Sequence, residues 1–224
     1  MFERYAIFYT PVDALADFGA AWLGWDSASG RAEPNMTVGD LDVATLTATP
    51  RKYGVHATLK APFRLAAGAN LAQLQQAAAQ FARHHAAFDI GELELRHDRN
   101  FVALRPKGSH VQLRDFASAI VKDFDHLRAP LSDADIARRR QSTLNARQDQ
   151  QMLEWGYPFI FDDFHFHLTL SGTLPQDTAT QVMTALAPHL MPIVPNPFVI
   201  DAITVMGQDG DGVFHQIHRY ALCG

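Results

Sequence analysis

A single cysteine, Cys223, stands among the 224 residues, so no disulfide framework can form within one chain and a reducing compartment is expected. Long apolar runs are missing as well: no stretch approaches the roughly 20 residues that a membrane-spanning helix needs. The start, Met1-Phe2-Glu3-Arg4-Tyr5, lacks the basic residues and apolar run of a secretory signal. A cytoplasmic protein with no membrane partner is the expectation. Positive charge is in short supply, since 19 Lys and Arg face 24 Asp and Glu for a net charge of -5. That balance argues against a long nucleic-acid footprint and makes any phosphate site local. No helical His-Glu-x-x-His motif and no cysteine cluster is present, which removes the common short metal motifs.

What the chain does have is a pair of near-copies, His56-Ala57-Thr58-Leu59 and His167-Leu168-Thr169-Leu170. Each lies in a run where apolar and polar residues alternate, the period of a half-buried strand. In the first, Val55, Ala57, Leu59 and Ala61 are expected to face the core, with His56, Thr58 and Lys60 on the other side. In the second, Phe164, Phe166, Leu168 and Leu170 face in, and His165, His167, Thr169 and Ser171 face out. Along one strand face the Thr lies about 6.6 to 6.8 Å from its His. An imidazole titrates near neutrality, so two of them can supply a base and an acid, while hydroxyls donate to phosphate oxygens. A phosphodiester held between two such strands could be cleaved without a metal.

The rest of the chain reads as an α+β protein. Strands are predicted at Tyr5 to Tyr9, about 54–65, Phe88 to Arg96, Phe101 to Arg105, about 161–172, Phe198 to Met206 and Val213 to Ala221. Helices are predicted from Asp13 to about Leu23, near Leu41 to Ala48, over Leu71 to His85 behind an Asn70 cap, from a Ser109 cap to about Phe124, and over Gln176 to His189. A polar helical insertion spans about 132–155. Its run Arg138-Arg139-Arg140 is expected to be a solvated face, because successive helical residues point about 100° apart. Each half of the chain then holds a motif strand, a helix and a hairpin, and residues 1–224 form one catalytic domain.

Four neighbours join the candidate site. Lys60 shares the predicted face of His56 and Thr58, and Arg64 follows at the same parity beyond Pro62. Tyr53 and Tyr157 precede a Gly and a Pro close to the two motif strands, where an aromatic ring can stack on a base or sugar or pack a turn. His165 and His167 form a same-face pair reminiscent of metal ligands, but a closed site needs more ligands than the sequence offers. No metal and no organic cofactor is expected.

The paired His-x-Thr-apolar motifs resemble those of the two-histidine (2H) phosphoesterase superfamily. Tyr53-Gly54-Val55-His56-Ala57-Thr58-Leu59-Lys60-Ala61-Pro62-Phe63-Arg64, Trp155-Gly156-Tyr157-Pro158, Phe164-His165-Phe166-His167-Leu168-Thr169-Leu170 and Trp22-Leu23-Gly24-Trp25-Asp26 resemble its uncharacterised branch associated with phosphonate-degradation operons. The resemblance implies a bilobal, pseudo-twofold fold in which two mainly antiparallel sheets form a central groove with helices outside. It implies a metal-independent cyclic phosphodiesterase, with His56 and His167 as acid and base and Thr58 and Thr169 binding phosphate. The implied substrate is a small cyclic phosphate ester, such as a ribose cyclic phosphate of phosphonate metabolism. Two other functions fit the same residues: a phospholigand-binding protein without turnover, and a metal-dependent phosphoesterase.

Overall fold

The computed structural model describes residues 2–224. In chain order, β1 (Arg4–Tyr9) leads into α1 (Asp13–Leu23), the short pair β2 (Trp25–Asp26) and β3 (Arg31–Ala32), and the single turn α2 (Val43–Leu46). The first motif strand, β4 (Ala57–Phe63), is followed by α3 (Leu71–Arg83), β5 (Phe88–Asp89), the hairpin β6 (Leu93–Asp98) and β7 (Phe101–Pro106), and α4 (Val111–Asp123). Then come α5 (Asp133–Arg139), α6 (Ala146–Trp155), β8 (Leu168–Thr169), α7 (Gln176–Leu190), β9 (Val199–Ile200), β10 (Ala202–Gln208) and β11 (Phe214–Ala221).

Local chemistry explains most of these bounds. The Asn70 and Asn145 side chains each accept from the backbone N–H of the glutamine three residues on, and their own backbone N–H groups donate to that glutamine's Oε1, so α3 and α6 both begin with a reciprocal cap. Gly24 ends α1 at φ 80°, a left-handed position that favours glycine, and its N–H donates to the Ala20 carbonyl. At α4 the cap differs from expectation: His110 occupies that position, with no side-chain bond, so Ser109 does not cap the helix. The predicted strand 88–96 is broken at Ile90 to Glu92, because β5 pairs with β9 while β6 pairs with β7.

Two antiparallel sheets carry the motifs. One has the order β11-β10-β1-β4 and the other β6-β7-β8, so each motif strand is the edge of its own sheet. An edge position lets β4 contain Pro62, which has no N–H to give a neighbour. The second motif strand is much shorter than 161–172: Phe161–Asp163 form a single tight turn, 164–167 carry no ladder bonds, and only Leu168–Thr169 pair with β7. A single apolar cluster joins the sheets, with Ile7 and Leu59 from one and Leu104 and Leu168 from the other. Trp22 ties α1 into it. The Trp22 side chain is fully buried, and its indole N–H donates to the Leu170 carbonyl at 2.6 Å, one residue beyond Thr169.

The ladder between β1 and β4 corrects one expectation. Phe8 pairs with Thr58, but Ile7 pairs with Lys60, so an extra residue bulges at Leu59. Paired residues project to the same side of a sheet, and adjacent residues to opposite sides. Thr58 therefore shares the groove face with Phe8, while Lys60 is turned to the core face with Ile7. Buried there, Lys60 donates to the Val121 carbonyl of α4 at 2.9 Å and pairs with Asp125 at 3.3 Å. The lysine braces α4 against β4 and does not line the groove with the histidines.

Candidate active site

His56 and His167 face one cavity of about 600 Å³, which also reaches Thr58, Thr169, Tyr53 and Tyr157. That volume is in the range of small-molecule sites. The two imidazoles are held in the same way. His56 Nδ1–H donates to the Gly54 carbonyl at 3.0 Å, and His167 Nδ1–H donates to the His165 carbonyl at 2.8 Å. A carbonyl can only accept, so Nδ1 carries the proton in both rings and Nε2 keeps its lone pair when the ring is neutral. Thr58 Oγ1 stands 3.3 Å from His56 Nε2.

Flat rings fix the first imidazole. Phe8 stacks on His56 at a centroid distance of 4.0 Å and Tyr53 packs against it at 5.4 Å; Tyr53 stacks on Phe214 at 4.9 Å, and Phe214 closes the ring cluster against Phe8 at 5.5 Å. His167 meets Phe101 at 5.5 Å. Burial pushes the His56 pKa down to about 4; its bond to Gly54 opposes that shift, and the nearby His167 adds to it. The pKa of His167 is lowered too, by burial first, against the upward pull of its His165 bond and with Arg105 adding to the fall. In the free protein burial thus favours the neutral form of both rings. A bound phosphate anion would offset the burial and restore a proton to one of them.

The remaining sequence candidates divide. Tyr53 borders the cavity with its ring packed between His56 and Phe214, and Tyr157 borders it with the Arg139 guanidinium 5.1 Å from its ring centre. Arg64 does not border it: the side chain lies in a side cleft and pairs with Asp135 at 2.8 Å. His165 contributes its carbonyl to His167, while its imidazole lies 3.4 Å from Arg105. Among the described residues, no group of three or more His, Cys, Asp or Glu is arranged to hold a metal ion.

Three cationic groove residues escaped the sequence reading. Arg4, Ala6 and Phe8 alternate along β1; Arg4 borders the groove, while the fully buried Phe8 supports His56 from behind. The alternation was hidden because the opposite face, Tyr5, Ile7 and Tyr9, is equally apolar. Arg139 was read as part of a solvated run. That reading fits Arg140, which pairs with Asp149 at 2.8 Å, but Arg138 and Arg139 border the cavity.

Comparison with known proteins adds the following. A family described as "Protein of unknown function (DUF1045)" matches residues 58–215. A protein of Janthinobacterium sp. (strain Marseille) named ribose 1,5-bisphosphate phosphokinase PhnN is 37% identical over 218 residues, covering 93% of this chain and 48% of that protein. One of the same name from Laribacter hongkongensis (strain HLHK9) is 31% identical over 188 residues, covering 83% and 44%. The chain thus spans about half the length of the curated relatives it matches. Among solved structures, E. coli LigT complexed with 3'-AMP aligns over 100% of both chains at 13% identity and a TM-score of 0.44. A structure described as a phosphoesterase aligns over 99% of both at 12% identity and a TM-score of 0.43.

Proposed function

Because the chain belongs to the family described as Protein of unknown function (DUF1045), which names no reaction, we propose one from the groove: hydrolysis of a small cyclic phosphodiester by His56 and His167. The observation that carries this reading is the matched anchoring of the two imidazoles, each with Nδ1–H on a backbone carbonyl and Nε2 toward one cavity. In the reaction, one neutral imidazole takes a proton from water at Nε2 as the oxygen attacks phosphorus. The other, protonated, gives its Nε2 proton to the ester oxygen whose bond to phosphorus breaks. The ring opens to a phosphomonoester and an alcohol, and a proton passes back between the groups before the next turnover. Thr58 and Thr169 hydroxyls donate to the non-bridging oxygens as negative charge builds on them. No step requires a metal.

The environments favour a division of labour. His56 packs against two aromatic rings and burial drives its pKa to about 4, which suits a base that must stay neutral. Burial lowers the His167 pKa too, but its His165 bond and the nearby Asp98 pull it back up, which suits the acid.

The relatives' name supports a phosphorylated ribose as the substrate. Opening 5-phosphoribosyl 1,2-cyclic phosphate at its O2 ester would release ribose 1,5-bisphosphate, the compound in that name. The chain itself has no Gly-x-x-x-x-Gly-Lys-Ser/Thr phosphate loop, and we assign it no phosphokinase activity. The test is phosphorus NMR of the purified protein with nucleoside 2',3'-cyclic phosphates and 5-phosphoribosyl 1,2-cyclic phosphate. Conversion to a phosphomonoester supports the reading. A ligand that raises the melting temperature but emerges unchanged would replace it with binding alone.

A further inference from the structure

The groove has a second charged end. Arg4 reaches it from β1, and Arg138 and Arg139 reach it from the last turn of α5. A buried carboxylate, Asp135, stands close by but is already engaged. Its two oxygens pair with Arg64 and Arg138, each at 2.8 Å, and it also accepts from the Ser132 hydroxyl. Four arginines thus surround a single carboxylate.

Arg4 and Arg139 are the two left over. Among the described residues neither has a carboxylate partner, whereas the exposed Arg140 and Arg147 each have one. Arg4 Nε–H donates to Gln208 on the facing strand β10, a bond that leaves its two terminal nitrogens free for the groove. Arg139 lies over the Tyr157 ring, and its buried Nε–H has no acceptor. Burial lowers the pKa of both guanidinium groups; the neighbouring tyrosines and Asp135 oppose that fall, while Arg138 repels both and Arg4 repels Arg139. Four guanidinium groups drawn around one carboxylate leave an excess of positive charge, and a buried donor without an acceptor calls for an explanation. A guanidinium fork matches the oxygens of a phosphate, and two forks from different elements match a dianion.

We propose that Arg4 and Arg139 form a second anion subsite, which takes a phosphomonoester carried by the same small molecule whose cyclic phosphodiester lies between His56 and His167. The inference rests on the hydrolytic reading above for the second half of that sentence, and on the arginines alone for the first. It names the substrate class as sugar cyclic phosphates bearing a further phosphate. Tyr157 then serves as the surface that orients Arg139 rather than as a platform for a base.

Two arms test it. In the first, ribose 1,2-cyclic phosphate with and without a 5-phosphate is offered to the wild type, R4Q, R139Q and the control R140Q, whose guanidinium lies outside the groove. The expected result is a roughly ten- to hundredfold fall in kcat/KM for the phosphorylated compound in R4Q and R139Q, the size of a lost charge-assisted hydrogen bond, with less than about a threefold change for the other compound. Equal losses on both compounds would overturn the subsite while leaving the hydrolytic reading intact. In the second arm, calorimetry follows ribose 5-phosphate, with ribose as control, binding to the wild type, H56N/H167N and R4Q/R139Q. Binding that survives in the histidine variant and vanishes in the arginine variant supports the subsite even if no compound is hydrolysed. Absence of binding in the wild type, or unchanged binding in R4Q/R139Q, would overturn it.

Discussion

His56 and His167, 111 residues apart in the sequence, bind their own backbones in the same way: each gives Nδ1–H to the carbonyl two residues upstream. That bond needs only local chain, so each motif carries its own device for setting the tautomer. The edge strands β4 and β8 then bring two finished halves to one cavity.

Burial of His56 has a consequence for stability. Its folded pKa of about 4 lies below the unfolded value of 6.5, so the unfolded chain takes up the proton first as pH falls. Stability should therefore be lost between pH 6.5 and 4, by about 2 kcal/mol after allowance for solvent screening. Urea unfolding at pH 7 and pH 4.5 measures the loss, and H56N should show one smaller by that amount. A loss of the same size in H56N would mean that other groups carry it.

Thr58 and Thr169 should act on turnover more than on folding, since both are half-buried beside the histidines. T58A and T169A are each expected to lower kcat roughly tenfold to a hundredfold, with T58S and T169S recovering most of it, as for donors to a developing charge. Steady-state kinetics on a cyclic phosphate checks this. A rise in KM at unchanged kcat would assign the hydroxyls to ground-state binding alone.

Tyr53 contributes its ring. Stacked between His56 and Phe214, it should tolerate loss of its hydroxyl, so Y53F is expected within about twofold of wild-type kcat. Y53A should lose about 2 to 3 kcal/mol of stability along with activity, as a large packed side chain is removed. A large loss in Y53F would show that the hydroxyl meets substrate.

Lys60 offers the reverse pattern. Its ammonium is buried against Val121 and Asp125, and burial lowers its pKa to about 8. Because Asp125 keeps its 2.8 Å pair with Arg128, K60A should cost about 2 to 4 kcal/mol of stability. Its kcat/KM is expected to change less than about threefold, the margin expected for a residue outside the groove. Chemical denaturation and kinetics on the same preparation separate the two effects.

The turn from Lys60 the groove residue to Lys60 the brace shows where sequence reading stops. Alternation from Val55 to Ala61 is unbroken in the sequence, and nothing in it marks the extra residue at Leu59. The bulge is a property of the pairing with β1, and it turns Lys60 to the core face, before a second register shift returns Phe63 to the core side opposite Tyr5. The histidines and threonines were legible because they precede the bulge and repeat in a second motif. Strand length at the second motif was not, since Phe164 to His167 alternate like a strand but have no ladder partner. Helix bounds with strong local chemistry were legible: Asn70 with Gln73, and Gly24 after Leu23. Arg139 was hidden for another reason. Three adjacent arginines diverge around α5, and only the fold says which of them meets the groove.

The most direct test of paired acid-base catalysis is turnover of a cyclic phosphate by the wild type, H56N and H167N after exhaustive chelation, each variant first shown to unfold cooperatively. Ring opening that persists without added metal and falls roughly a hundredfold to ten-thousandfold in each single variant is the predicted result. Undiminished turnover in both variants, or activity abolished by the chelator and restored by zinc or manganese, would contradict it.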